Sequence, residues 1–279
     1  MELSELSKLL EDLDAKNRKE LLFNVSGRKK TEMDFHDLNR TLSSGVQIEG
    51  VDSNEMLSNK KFYKTTNRSR LFVDNWITRN AKGRVVLDYA CGLGELAQKA
   101  SKAGASLTIG IDISPKSIDL AKQASQSADF DNIKFIVADA ENTGLPDNSI
   151  DLILCSGMLH HLDLSYAFYE MRRILKPRGK ILAVEALDIN PFIKLYRILT
   201  PHLRTDFESK HILSIKELKF ANRFFEVSSV KYWHIVGYLG AYMPLLQKVL
   251  DFFDKFIEKI PIFNRLAWQF TFELVKRDE

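Results

Sequence analysis

The chain has 279 residues, 45% of them hydrophobic, which is enough to bury a full core and too much apolar content for a disordered chain. Lys and Arg number 40 against 37 Asp and Glu, and the net charge of +3 is too small a surplus to point to nucleic acid. Two cysteines, Cys91 and Cys155, suit free thiols in a reducing compartment, which excludes a disulfide-built fold and makes a cytoplasmic setting the expectation.

The first twenty residues are acidic and amphipathic and lack the basic start and apolar run of a secretory signal. Leu3, Leu6, Leu9 and Leu10 fall at helical spacing, as do Leu71, Phe72, Trp76 and Ile77, so residues 1–80 read as an N-terminal helical cap or lid. The polar stretch between these runs reads as loop with one short helix, able to fold over a ligand. Within it Glu32, His36 and Asp37 flank Phe35. The plain reading is a solvated helix face around a buried Phe; the functional one has His36 or Asp37 reaching a substrate. Arg28, Lys29 and Lys30 read as a solvated basic run.

Residues 81–279 read as the core, where short aliphatic runs alternate with amphipathic stretches, the pattern of βαβ units. The predicted strands are 85–89, 107–111, 134–137, 152–155 and 180–184, with helices starting near Glu95, Pro115 and Ser165. Ser114 before Pro115 is a cap followed by a residue preset for helix. A polar connection follows the fifth strand, then a strand over 225–236, a helical insertion at about 240–262 and a last strand over 266–276. Together these predict a Rossmann-like α/β fold: a seven-stranded sheet, parallel with an antiparallel last strand that closes one edge, flanked by helices. In the late helix Leu245, Leu246, Val249, Leu250, Phe253, Phe256, Ile257 and Ile260 form one apolar stripe opposite Lys248, Asp251, Lys255, Glu258 and Lys259. Packing on the sheet is the preferred reading, and a membrane-surface contact through 244–260 is the alternative. The apolar run 233–246 is broken by Gly237, Gly240 and Pro244 and is too short to cross a bilayer.

The chemistry concentrates at the strand ends. VVLDYACGLGELA ends a strand in Asp88, turns through Cys91, Gly92, Leu93 and Gly94, and enters a helix at Glu95, where exposed amides favour a polar or anionic group. Gly92, Gly94 and Ala97 also satisfy the G-x-G-x-x-A dinucleotide form, so spacing alone leaves a nicotinamide cofactor open. Asp112 ends the second strand 112 − 88 = 24 residues later, placed for both hydroxyls of a ribose, and Asp139 follows the third, placed for the amine of an adenine. An acid at three successive strand ends, with a carboxylate just before the glycines, points away from nicotinamide.

LDYACGLGELA, IGIDIS, FIVADAENTGLPDNSIDLILCSGMLHHL and ILKPRGKILAVE together resemble the successive motifs of class I S-adenosylmethionine-dependent methyltransferases, over roughly residues 60–186. Within that class the chain is most similar to the small-molecule and lipid-type enzymes that include the ubiquinone and menaquinone methyltransferases. The resemblance implies that Gly92, Gly94, Ala90 and Cys91 hold the methionine moiety and that Asp88 orders them. It further implies Asp112 on the ribose, Ile113 packed on adenine, Asp139 and Ala140 at the adenine edge, Cys155, Ser156 and Gly157 as the floor, and Tyr63 closing over the cofactor. Ala90 departs from the family, which commonly has a glycine there.

His160 and His161 follow the fourth strand at the C-terminal edge of the sheet, where open α/β folds bind ligands. A histidine there is able to take the proton of a hydroxyl as it attacks the methyl group; helix capping is the plain alternative. The resemblance extends to phosphoethanolamine methyltransferases, whose histidine at the position of His161 takes part in catalysis. His202 and Arg204, after the fifth strand, are candidate substrate contacts beside the reading of a solvated loop. No metal-ligand spacing is evident, because the two histidines are adjacent. The expectation is methyl transfer from S-adenosyl-L-methionine to a small-molecule or lipid-like acceptor, with O-methylation of a hydroxyl as the first reading and C-methylation of a quinone or isoprenoid as the second. The rivals from other classes are an NAD-dependent oxidoreductase and a non-catalytic S-adenosylmethionine-binding protein.

Overall fold

The computed structural model describes residues 2–25, 27–50, 52–128 and 130–278. Five helices come first: α1 (Leu3–Asn24), α2 (Gly27–Ser43), α3 (Ser53–Met56), α4 (Lys60–Tyr63) and α5 (Asn67–Asn80). Strands and helices then alternate through β1 (Val85–Tyr89), α6 (Glu95–Lys102), β2 (Leu107–Asp112), α7 (Pro115–Gln126), β3 (Ile133–Val137), β4 (Ile150–Ser156), α8 (Leu164–Ile174) and β5 (Leu175–Ala186). The remainder is α9 (Pro191–Leu199), α10 (Asp206–His211), α11 (Ile215–Ala221), β6 (Phe225–Trp233), α12 (Gln247–Ile257) and β7 (Gln269–Lys276). No helix among the described residues is long and apolar enough to cross a membrane.

The seven strands form one sheet in the order β3-β2-β1-β4-β5-β7-β6. β1 to β5 run parallel, and β7 is antiparallel to both of its neighbours, β5 and β6. This is the expected Rossmann-like fold with one correction: the antiparallel strand lies inside the sheet, and β6 is the edge. β1 and β2 are buried along their whole length, as a parallel sheet covered on both faces requires. Leu87, Ile109, Ile136, Ile153 and Phe270 belong to the main core, which Leu6 and Leu10 of α1 join. On the other face Val73, Trp76 and Ile77 of α5 pack against Val86, Leu152 and Leu182.

Two polar stretches, one read as loop with one short helix and the other as a polar connection, hold more helix than expected. Residues 27–43 form α2, which buries only Glu32 and Leu42. The connection after β5 holds three short helices, each started by a side-chain cap: Asn190 on the amides of Phe192 and Ile193, Thr205 on Glu208, and a full capping box between Ser214 and Glu217. Capping chemistry, more than apolar periodicity, starts these short helices.

Candidate active site

The turn after β1 is shaped by backbone that side chains rarely adopt. Ala90, Gly92 and Gly94 all have positive φ, at 55°, 53° and 76°. Gly94 has no alternative, because a Cβ there would lie 2.5 Å from the Phe135 ring. Ala90 occupies the same left-handed region with a side chain, at a strain of about 1–2 kcal/mol.

Asp88 Oδ2 accepts the Ala97 amide at 2.9 Å, which ties the end of β1 to the first turn of α6 across the glycine loop. Burial pushes this carboxyl up to about 8, and no cation pairs with it among the described residues. Asp112 closes the loop from the other side, its oxygens accepting the Gly92 and Ser114 amides at 2.9 Å each, with the Arg40 guanidinium 3.9 Å away. Asp139 accepts Glu141 N–H at 2.9 Å and pairs with Lys29 at 2.5 Å.

These groups border a cavity of about 800 Å³ at the C-terminal ends of the strands, lined also by Ala90, Cys91, Gly92, Ile113, Ala140, Ser156 and Gly157. Its roof is α2, which contributes Arg28, Lys29, Glu32, His36 and Arg40. Of the predicted residues, Gly94 and Cys155 lie behind the lining: Gly94 against Phe135 and Cys155 inside β4 beneath Ser156. Tyr63 and His160 line a smaller cavity of about 200 Å³ that shares Glu95, Leu96, Ser156 and Gly157 with the first. Tyr63 stands edge-on to Trp268, with ring centres 5.5 Å apart. His202 and Arg204 line neither cavity: His202 pairs with Glu55 at 3.2 Å, and Arg204 donates to the Thr200 carbonyl at 3.1 Å.

Each of the adjacent histidines has its own carboxylate. His161 faces the main cavity and its Nδ1–H donates to Glu32 Oε2 at 2.7 Å. The other Glu32 oxygen accepts from the Thr205 hydroxyl. Burial opposes the charge on Glu32, but the bonds from His161 and Thr205 outweigh it and hold this carboxyl below its usual range. His160 is buried, with Nδ1 2.7 Å from Glu185 Oε2, while Glu185 Oε1 accepts the Met158 and Leu159 amides at 2.9 Å each. Burial pulls the His160 imidazole down and Glu185 pulls it up further, so its net shift is upward. Glu185 thereby shapes the turn that presents both histidines.

His36 lies one helical turn after Glu32, its ring edge-on to His161 at 4.6 Å; its buried Nε2 has no hydrogen-bond partner among the described residues and lies 4.0 Å from Glu32 Oε2. Burial, with His161 beside it, pushes that imidazole well below its usual value. No metal-ligand cluster was expected, yet donor atoms of Glu32, His36 and His161 fall within 4.8 Å of one another. The 2.7 Å between Glu32 and His161 is a hydrogen bond, whereas two ligands on one tetrahedral ion at about 2.1 Å each sit more than 3 Å apart. The arrangement is a carboxylate–histidine pair. Sequence reading passed over Glu32, Thr205 and Glu185 as site residues. The i, i+4 spacing of Glu32 and His36 and an acid at the end of the apolar run of β5 were the available signals.

Residues 87–183 match the family model of the methyltransferase domain, which bears out the resemblance carried by the motifs. The ubiquinone/menaquinone biosynthesis C-methyltransferase UbiE of Rickettsia bellii is 36% identical over 107 residues, 36% of this chain and 43% of that protein. The 27-O-demethylrifamycin SV methyltransferase of Amycolatopsis mediterranei is 34% identical over 101 residues, 36% of this chain and 37% of that protein. The chain therefore spans less than half the length of these curated relatives. Among solved structures, a geranyl diphosphate methyltransferase in complex with its diphosphate and sinefungin superposes with a TM-score of 0.55 at 14% identity, over 74% of this chain and 77% of that one. The 4+2 cyclase SpnF superposes with a TM-score of 0.53 at 18% identity, over 75% of this chain and 82% of that one. These likenesses show the fold, and a cyclase among them means that the fold alone does not name the reaction.

Proposed function

We propose that the protein is an S-adenosylmethionine-dependent methyltransferase acting on a small-molecule or lipid-like acceptor, with O-methylation of a hydroxyl as its reaction. The observation that carries this reading is the Glu32–His161 pair in the roof of a cavity whose floor holds the three strand-end acids, which, with His161, belong to the matched residues 87–183. The residues present fit the cofactor. Asp88 is a buried carboxyl without a cation, suited to an ammonium group, and Gly92 carries no side chain into the cavity. Asp112 would take the ribose hydroxyls and Asp139 the adenine amine, each in exchange for its present α2 partner. S-adenosylmethionine bound there supplies a methyl group on a positively charged sulfur, which leaves with the electron pair of the C–S bond.

His161 does the protein's part of the proton transfer. Its Nδ1 is committed to Glu32, so Nε2 presents the lone pair that takes the proton of the acceptor hydroxyl as the oxygen attacks. The Glu32 carboxylate fixes that tautomer and stabilises the imidazolium that forms. Residues from α2 and the β4–α8 turn line the cavity on both sides of His161, and orientation there supplies much of the rate. C-methylation of a quinone or isoprenoid uses the same base on a ring carbon, and a C-methyltransferase among the relatives keeps it as the second reading.

Calorimetric titration with S-adenosylmethionine, S-adenosylhomocysteine and NAD, on wild type and Asp112→Ala, tests the cofactor. Binding of the two sulfur compounds that collapses in the variant is expected; binding of NAD alone refutes the reading. Methyl transfer from labelled cofactor into small-molecule and lipid extracts tests the reaction. His161→Ala is expected to lower kcat roughly 100-fold or more, and Glu32→Gln by a smaller factor with a shifted pH profile. Near-normal turnover of His161→Ala removes the base.

A further inference from the structure

The apolar stripe of the late helix was expected to pack on the sheet, and the structure turns it outward. Leu245 is 98% exposed, and Val249, Phe252, Phe253, Phe256 and Ile260 of the same face are between 45% and 55% exposed. Ile262, in the turn that follows, is 77% exposed. Of the stripe, Leu250 and Ile257 are half-buried, Ile257 against the main core, and the most buried side chain that α12 turns inward is acidic. Asp254 is fully buried and accepts the Val236 and Gly237 amides at 2.9 Å each, and Glu258 accepts His234 N–H at 3.0 Å and pairs with Arg68. Its amphipathicity is inverted relative to a helix seated on a core.

α9 repeats the pattern. Phe192, Leu195, Ile198 and Leu199 are 56–69% exposed on one face, while Ile193 is buried with Phe62, Tyr238 and Trp268. That small cluster also takes in Tyr196, Leu239 and Ala241, so it joins α9 to the turn leading into α12. Soluble chains rarely expose so many large apolar side chains on two adjoining helices without a partner.

The charges identify the partner. Lys248, Lys255, Lys259 and Arg265 are all exposed, and none has an ion pair among the described residues. The acids that balance them in the sequence, Asp254 and Glu258, face inward, and Asp251 is held by the Gln247 amide at 2.9 Å. The outward surface of 242–266 is therefore apolar and cationic. A second copy meeting this face about a two-fold axis would set lysines against lysines, whereas anionic headgroups complement them and an acyl boundary takes up the phenylalanines.

We propose that α9, α12 and the turn after α12 form one interfacial surface that docks the protein on an anionic lipid bilayer. The docked face adjoins the small cavity: Tyr242 packs edge-on to Phe62 at 5.7 Å, next to Tyr63 in the cavity wall. For a lipid-like acceptor, as read above, docking delivers the substrate at that opening. The docking itself does not rest on the methyl-transfer reading.

Vesicle flotation of the full chain, without cofactor or acceptor, tests it with phosphatidylcholine alone and with phosphatidylcholine and phosphatidylglycerol in equal parts. Wild type is expected to float with the anionic vesicles only, and to sink as salt is raised. Leu245→Ser/Ile262→Ser, at the two most exposed apolar positions, and the triple reversal Lys248→Glu/Lys255→Glu/Lys259→Glu are each expected to weaken partitioning roughly 100-fold. Unchanged circular dichroism and melting show that both variants fold. Wild type that stays at the bottom with every vesicle overturns the proposal. So does a dimer by light scattering that Leu245→Ser/Ile262→Ser dissociates, which assigns the face to a second copy. Flotation that holds while the separate labelled-cofactor assay shows no methyl transfer would refute the activity and leave the docking standing.

Discussion

Replacing Gly94 by alanine tests how the glycine loop is built. Two costs arise from the structure. The residue has φ +76°, where an L side chain is less stable than glycine by about 1 kcal/mol. The new Cβ would lie 2.5 Å and 2.6 Å from Cζ and Cε1 of Phe135, an overlap of the kind that costs about 1–3 kcal/mol in a packed core. Gly94→Ala is therefore expected to destabilise by about 2–4 kcal/mol, a large part of a domain's stability. Phe135→Leu removes the obstructing ring edge and costs about 1–2 kcal/mol by itself. In the double variant the overlap disappears and only the backbone strain and the lost Phe packing remain. The two changes should then cost about 1–3 kcal/mol less together than their sum. Urea unfolding of the four proteins, followed by tryptophan fluorescence, measures that coupling. Costs that add to within about 0.5 kcal/mol would mean that Phe135 does not press on the loop, and the account of this turn would fail.

Ala90→Gly should stabilise the protein by about 0.5–1 kcal/mol, since relief of left-handed strain exceeds the extra entropy of an unfolded glycine; a lower melting temperature would contradict this. Asp88 holds its proton in the folded state up to about pH 8 but loses it near pH 4 when unfolded, so it makes stability fall as pH rises across that window, by at most about 1.4 kcal/mol per pH unit. Asp88→Asn should flatten that slope, and equal slopes in the two proteins would refute the assignment. The raised His160 value contributes stability in full below its unfolded value near 6.5, and this fades as pH rises through the higher folded value. Glu185→Gln should return His160 toward or below 6.5 in an NMR titration, and an unchanged value would sever the pair.

Sequence alone carried the sheet far. All five predicted parallel strands and both late strands are present; β1 has the expected bounds, and the ends of the others move by one to five residues, because an aliphatic run reports burial and not hydrogen bonding. What it missed follows from where the information sits. β7 lies inside the sheet because Val184 and Glu185 pair with Thr271 and Phe270, across more than eighty residues, and no local pattern records such a pairing. The orientation of α12, for which a membrane-surface contact was the alternative to packing on the sheet, stayed open for a related reason. A stripe of leucines and phenylalanines shows which residues share a face, and only the partners of Asp254 and Glu258 show which face is inside.

The site divides along the same line. The acids and glycines that border the cavity floor are local, each at the end of a strand that its own sequence announces, so Asp88, Gly92, Asp112 and Asp139 were all legible. The histidine side is assembled from remote segments: Glu32 meets His161 from 129 residues away and Thr205 from 173. Every one of those contacts passes through α2, in the stretch read as loop with one short helix. α2 buries only two side chains and is otherwise held to the core by partly exposed ion pairs, Arg28 to Glu141, Lys29 to Asp139 and Arg40 to Asp112, each worth no more than about 1 kcal/mol. A weakly amphipathic helix docked by its polar side leaves little trace in hydropathy, although it carries the residue that orients His161. The acceptor is harder to read than the cofactor because its contacts depend on how such a helix seats, and seating is a property of the assembled site.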